Sequence, residues 1–212
     1  MTETENKMEE ISSQRKLEAL EENGTFIRKD GKTFLQLDCE NAKELSMKWG
    51  EKLYPFTKTG KKWILELPFS TPVNYVQICV DGQEVLSPEL PIAHGYGRPY
   101  NYIELPDEDG LFELRDVPHG TLTQEFYKSK ISDNWEKLIL YLPPCVPSAG
   151  LPVLYLQHGF GESEISWSTT GKVNLLMDNL IAAGKIKPFA IVMGNGMVKQ
   201  RIDGKLKLNR AL

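Results

Sequence analysis

The sequence predicts a small β-sandwich followed by an α/β unit. Three observations carry that prediction. Between about residues 24 and 106, short alternating runs are punctuated by Asp-Gly pairs, the pattern of hairpins. Beyond about residue 121, "PVLYLQ" and "PFAIVMGN" are nearly unbroken apolar runs that bracket a segment of helical period. Between the two textures lies "PDEDGLFELRDVPHGT" (Pro106–Thr121), an acidic, Gly- and Pro-bearing linker.

Taken in order, residues 1–23 form a charged N-terminal arm with only a thin apolar stripe at Met8, Ile11 and Leu20. Residues 24–106 form the β unit. In "TFIRKDGKTFLQLDC" two strands turn at Asp30-Gly31, and in "VNYVQICVDGQEVLSP" two more turn at Asp81-Gly82. "KKWILELP" sets Trp63, Leu65 and Leu67 against Ile64 and Glu66 on the opposite face. "IAHGYGRPYNY" (Ile92–Tyr102) is the most loop-like aromatic stretch. After the linker, 107–120, the segment 121–212 opens with a hairpin, "LTQEFYKSKI" and "EKLILYLPP", around Ser132-Asp133-Asn134. "PVLYLQ" and "PFAIVMGN" read as strands buried on both faces of a parallel sheet. In "GKVNLLMDNLIAAGK", Val173, Leu176, Met177, Leu180 and Ile181 share one helical face, and Gly184 stands at the C-cap. Strand, helix and strand make a right-handed βαβ unit. The basic tail after Gly196 does not continue it. Three or four strands and one helix leave one sheet face uncovered, so the second domain is expected to be incomplete and to dimerise or aggregate through that sheet.

Composition narrows the function classes. A net charge of −4 argues against general nucleic-acid binding. No apolar run approaches the ~20 residues of a membrane span, and the start lacks a signal peptide's basic and apolar regions, so a cytoplasmic location is expected. Cys39, Cys79 and Cys145 form no CxxC pair and are expected as isolated buried or half-buried thiols. His94, His119 and His158 have no HExxH or HxH spacing, so neither metal nor cofactor is expected.

The stretch 115–196 carries PHG, LYxxHG, a tryptophan eight positions after the Gly of HG, DNLIAxGK and KP…IVM. In this combination it resembles the esterase-D-like α/β-hydrolases, the group of feruloyl and acetyl-xylan esterases and enterochelin (trilactone) esterases. Residues 24–106, with "VDGQEVLSPELP", are similar to the early-set, immunoglobulin-like β-sandwich that precedes many of them. The resemblance implies an early-set β-sandwich followed by an incomplete α/β-hydrolase domain. It implies ester hydrolysis by a serine acyl-enzyme route on a small-molecule or oligosaccharide ester: feruloyl or acetyl polysaccharide decorations, or a siderophore trilactone. It also implies that His158, Gly159, Phe160 and Gly161 form the oxyanion loop, with the backbone N–H around Phe160 as donor.

One departure stands out. No GxSxG occurs, and Ser163, Ser166 and Ser168 lie in the HG loop itself. The nucleophile, acid and base are therefore expected outside these residues, and the chain alone is expected to be inactive. The alternatives are a carbohydrate-binding or structural module, or a gene fragment without function. Among other residues, Trp167 is read as packing under the loop, with substrate contact as its second role. His119 is read as a buried, hydrogen-bonded junction residue, and Asp116 and Asp178 as surface or capping carboxylates. Trp49, Trp63, Tyr75, Tyr96 and Tyr100 are read as core, with a sugar-binding face as the other possibility. Tyr96 and Tyr100 are the candidates there for touching a substrate.

Overall fold

Three two-residue turns organise the first part of the chain. The computed structural model describes residues 25–106, 109–146, 150–197, 199–202 and 205–208, so the predicted N-terminal arm lies outside the described residues. Asp30-Gly31 joins β1 (Phe26–Lys29) to β2 (Lys32–Asp38) with φ of 52° and 74°. Both turn residues sit in the left-handed region, the signature of the hairpin turn whose twist matches its strands. β3 (Leu45–Trp49) and β4 (Lys52–Pro55) pair next, and β5 (Thr57–Thr59) pairs with β6 (Lys62–Glu66). Asp81-Gly82, with φ of 50° and 79°, joins β7 (Val73–Val80) to β8 (Gln83–Val85). The third turn, Tyr96-Gly97, joins β9 (Ile92–Gly95) to β10 (Arg98–Glu104). The stretch read as loop, Ile92–Tyr102, is thus a hairpin: its turn residues are Tyr-Gly rather than Asp-Gly, and that hid it.

By their internal contacts, residues 25–92 and 100–105 belong to one unit, and residues 93–99 group with everything from Pro106 onward in a second. The first unit holds a sheet ordered β1-β2-β6-β5 and another ordered β4-β3-β7-β10-β9, with β8 on β7. One core draws on both: Leu35, Leu37, Trp63 and Leu65 from the first sheet, Met47, Val76, Ile78 and Ile103 from the second. The alternation read in "KKWILELP" holds, since Trp63 and Leu65 are buried while Glu66 is exposed.

The second unit has a four-stranded sheet. β11 (Thr121–Lys128) and β12 (Trp135–Leu142) form the expected hairpin. β13 (Val153–Tyr155), a one-turn helix α1 (Ser166–Thr169), helix α2 (Val173–Ala182) and β14 (Ala190–Gly194) follow. The order is β11-β12-β14-β13, with β13 parallel to β14 and β12 antiparallel to it. Helix α2 ends as its sequence requires: Gly184 takes φ of 66°, its N–H donates to Ile181 O, and Lys185 N–H donates to Leu180 O. Ile139, Tyr141, Ile191 and Met193 on one sheet face pack with Val173 and Met177 of α2. A last hairpin, β15 (Lys199–Ile202) with β16 (Lys205–Leu208), follows.

Two expectations fail here. β13 is not buried on both faces: Val153, Leu154 and Tyr155 are 50%, 42% and 78% exposed. It ends the sheet, paired on one side only among the described residues, and an apolar run cannot distinguish such an edge from a central strand. Cys145 is exposed, whereas Cys39 is half-buried and Cys79 buried. Among the described residues strands predominate, and no helix is long and apolar enough to cross a membrane.

Candidate functional site

β13 hands the chain to the HG loop. Leu156 N–H still donates to Val192 O at 2.9 Å, so the parallel ladder reaches almost to His158. His158 is buried, and its ring is fixed at both nitrogens. Gly196 N–H donates to Nε2 at 3.0 Å, which requires an unprotonated Nε2, and Nδ1 then donates to Gly159 O at 2.7 Å. The imidazole is therefore neutral and serves as a pin between the loop and the end of β14, with no nitrogen left over for proton transfer.

Residues 159–162 close a tight turn. Glu162 N–H donates to Gly159 O at 3.2 Å, and Gly161 at the third position has φ of 78°, the type II arrangement. Gly159 N–H is taken by the Glu162 carboxylate at 2.9 Å. The N–H groups of Phe160 and Gly161 have no acceptor among the described residues, and Phe160 is 68% exposed. Of the four residues singled out in the sequence, two hold the turn and two present open backbone donors. Gly161 is also required sterically: a Cβ there would lie 2.3 Å from Gly97 N and 2.4 Å from Tyr96 Cα. Gly97 N–H donates to Gly161 O at 2.9 Å.

Behind the turn, Ser163 N–H donates to Ser166 Oγ, and Ser168 Oγ donates to Ile165 O. Among the described residues none of these serine hydroxyls is hydrogen-bonded to a histidine. Trp167, 37% exposed, donates its indole N–H to Gln157 O at 2.8 Å, which ties the loop's far end to its start. Glu164, missed in the sequence because its partners lie far along the chain, has a fully buried side chain. It accepts from Lys137 Nζ at 2.6 Å and from Asn195 Nδ2 at 2.7 Å. Burial pushes its carboxyl up, but the bonds from Lys137 and Asn195 outweigh that and hold it below the ordinary value.

A second polar cluster lies at the entry to β11. Asp178, read in the sequence as a surface or capping carboxylate, is buried on α2 with its side chain 2% exposed. It accepts from Tyr141 Oη at 2.6 Å, Gly120 N–H at 3.0 Å and His119 Nδ1 at 2.9 Å. Its neighbour Asn179 donates to Leu111 O and Glu113 O. His119 is hydrogen-bonded as expected, though its side chain is 37% exposed rather than buried. Asp116 is on the surface.

His119 faces an acceptor at each nitrogen, Asp178 Oδ2 and the Arg115 carbonyl, both at 2.9 Å, so only the doubly protonated ring donates to both. Its pKa is raised, first by the hydrogen bond to Asp178, with the Arg115 carbonyl and the charges of Asp178 and Asp116 adding to it. Because the folded value lies above the unfolded one of about 6.5, this stabilisation is complete below that pH and is lost as pH rises through the folded value. Thermal melts of the wild type should therefore show a Tm that declines from mildly acid to mildly alkaline pH. His119→Gln should flatten that decline, and an unchanged slope in the variant would disprove the assignment.

The aromatic candidates separate. Trp63 is buried, its indole N–H bonded to Cys39 O, and Trp49 packs on Phe69 and Tyr54. Tyr75 and Tyr100 are half-buried and meet edge to face at 6.0 Å. Tyr96 is 71% exposed. No group of three metal-ligating side chains occurs among the described residues.

No family profile matches the chain. It is 37% identical over 140 residues to an endo-1,4-beta-xylanase/feruloyl esterase of Xylanibacter ruminicola, a match covering 62% of this chain and 19% of the relative. The chain thus spans about one fifth of that relative's length. Among solved structures, the ferric enterobactin esterase of Salmonella typhimurium superposes with a TM-score of 0.55 at 9% identity, covering 83% of this chain and 57% of that one. The chain shares that esterase fold. The enterobactin esterase of Shigella flexneri agrees, with a TM-score of 0.53 at 11% identity over 83% of this chain and 55% of the other.

Proposed function

We propose that the chain is part of a serine carboxylic-ester hydrolase, an early-set β-sandwich joined to an α/β-hydrolase segment, and that it contributes the oxyanion loop. The observation that carries this reading is the 37% identity over 140 residues with a protein named for feruloyl esterase activity. The open N–H groups of Phe160 and Gly161 support it chemically. In the proposed reaction a serine oxygen attacks the ester carbonyl, the carbonyl oxygen takes the negative charge, and Phe160 N–H donates to it. The alcohol then leaves with a proton, and water cleaves the acyl-enzyme to the acid. The substrate class is a feruloyl or acetyl ester of polysaccharide, or a siderophore trilactone. His158 holds the loop in shape and takes no proton. The serine, its base and its acid are not among these residues, since no GxSxG occurs and the loop serines are engaged in local bonds.

The 212-residue chain should neither hydrolyse p-nitrophenyl acetate nor form an adduct with a serine-directed phosphonate; a labelled Ser163, Ser166 or Ser168 would overturn the loop's role. The positive test joins this chain to the part of the Xylanibacter relative that follows its matched region and assays methyl ferulate. Phe160 occupies the second position of a type II turn, where proline fits, so Phe160→Pro removes the N–H while keeping the turn. In the joined protein it should lower kcat by about 100- to 1,000-fold with little change in KM. Unchanged kcat would exclude Phe160 as the donor.

A further inference from the structure

The turn that touches the loop is an anomaly among its kind. Asp30, Asp81 and Tyr96 each open a two-residue turn in the left-handed region, with φ of 52°, 50° and 51°. Asp tolerates that conformation, because its short side chain bonds locally; a bulky ring there is strained. Strain of this sort persists where something other than stability holds it, and it gathers at functional sites. The Tyr96 side chain is not accounted for as core, since the residue is 71% exposed. Its backbone, however, is closely placed: Tyr96 Cα and Gly97 N lie against Gly161, where only a hydrogen fits, and Gly97 N–H donates to Gly161 O.

That bond has a consequence for the loop. The peptide between Gly161 and Glu162 is held at both ends, its carbonyl by Gly97 and its N–H by Gly159 O. With that peptide fixed and Gly159 N–H occupied by Glu162, the Phe160 and Gly161 N–H groups are the open donors of the turn. An exposed tyrosine thus stands beside two exposed donors, one residue away from a second exposed ring, Phe160. A donor pair for a carbonyl or carboxylate oxygen, next to aromatic faces, suits a ligand with a planar ring conjugated to a carboxyl group.

We propose that the Tyr96–Gly97 turn is the specificity wall of the loop: Gly97 is a positioning residue that fixes the donor turn, and Tyr96 offers a stacking face to the planar ring of an aromatic ester. The proposal rests on the ester-hydrolase reading and assigns it the aromatic acyl class over acetyl or aliphatic groups.

The test uses the 212-residue chain and ferulate as the probe, with backbone amides followed by NMR. Ferulate should shift the Phe160 and Gly161 amides of the wild type. Tyr96→Asn, whose side chain accepts the left-handed conformation, should weaken ferulate binding at least about 10-fold while leaving Tm equal or higher. Acetate should bind both proteins alike. Equal ferulate affinity in the variant, or a lowered Tm, would overturn the role of Tyr96 while leaving the ester reading standing. Absence of any ferulate shift in the wild-type loop would overturn both. For Gly97, the amide should be protected from hydrogen exchange in the wild type and lose at least about 10-fold of that protection in Gly161→Ala, with core amides unchanged. Equal protection in both would refute the positioning role.

Discussion

Asp178→Ala should destabilise the second unit by about 3 kcal/mol or more, read as a lowered urea midpoint. The figure comes from the groups left behind. Tyr141 is 0% exposed, and its hydroxyl would lose its acceptor at 2.6 Å. Gly120 N–H would lose its acceptor at 3.0 Å. Each stranded buried donor costs about 1–3 kcal/mol. The His119 bond adds little, because that ring is 37% exposed and water replaces the partner. Nor can the site relax by closing up. Gly120 already passes so near β12 that a Cβ on it would lie 2.3 Å from Leu142 O and 2.6 Å from the Tyr141 ring. Asp178→Asn keeps one carbonyl acceptor and should lose less. Against a typical domain stability of 5–15 kcal/mol the alanine variant is severe. An unchanged midpoint would mean that the cluster is not what secures the entry to β11.

Asn101→Ala should be comparably damaging in the first unit. Asn101 on β10 is 0% exposed. Its Oδ1 accepts from Ser87 N–H at 2.8 Å, and its Nδ2 donates to Ser87 O at 3.0 Å and Leu90 O at 3.1 Å. One side chain thus satisfies a buried N–H and two carbonyls in the segment that leads into β9. Truncation strands all three, for an expected loss of about 3 kcal/mol, measured by thermal or urea unfolding. Asn101→Asp is the sharper control: a carboxylate still accepts from Ser87 but offers the two carbonyls no donor, so it should be no better than alanine. A near-native melt of Asn101→Asp would contradict this account. Asn101 also secures the base of the hairpin whose tip carries Tyr96 and Gly97, so both variants should raise amide exchange along β9.

The sequence was most readable where local chemistry alone decides the backbone. Asp30-Gly31 and Asp81-Gly82 announce hairpins because few residue pairs tolerate two left-handed positions, and helix α2 announces its end through Gly184. Tyr96-Gly97 makes the same turn but was read as loop, since nothing local favours tyrosine there. Asp178 was misread for the opposite reason. Its helical position is ordinary for a solvated carboxylate, and the groups that bury it, Tyr141 and Gly120, come from distant parts of the chain. Val153–Tyr155 misled because hydrophobicity reports composition and says nothing of which strand ends a sheet. The HG loop was found through its resemblance to other chains. Only the coordinates separate its two engaged residues, His158 and Gly159, from the two whose N–H groups are open.

The strand order of the second sheet carries a kinetic implication. β12 lies between β11, its hairpin neighbour, and β14, so Leu140 must wait for Val192. During synthesis the β11–β12 hairpin emerges first, with Ile139 and Tyr141 still bare. It cannot be completed until β13, α2 and β14 have left the ribosome, because the residues that cover it arrive last. Local pairing gives this sheet an early hairpin, while its centre depends on a late, long-range closure of the kind that slows folding. The interval between those events is when a chaperone would have something to hold.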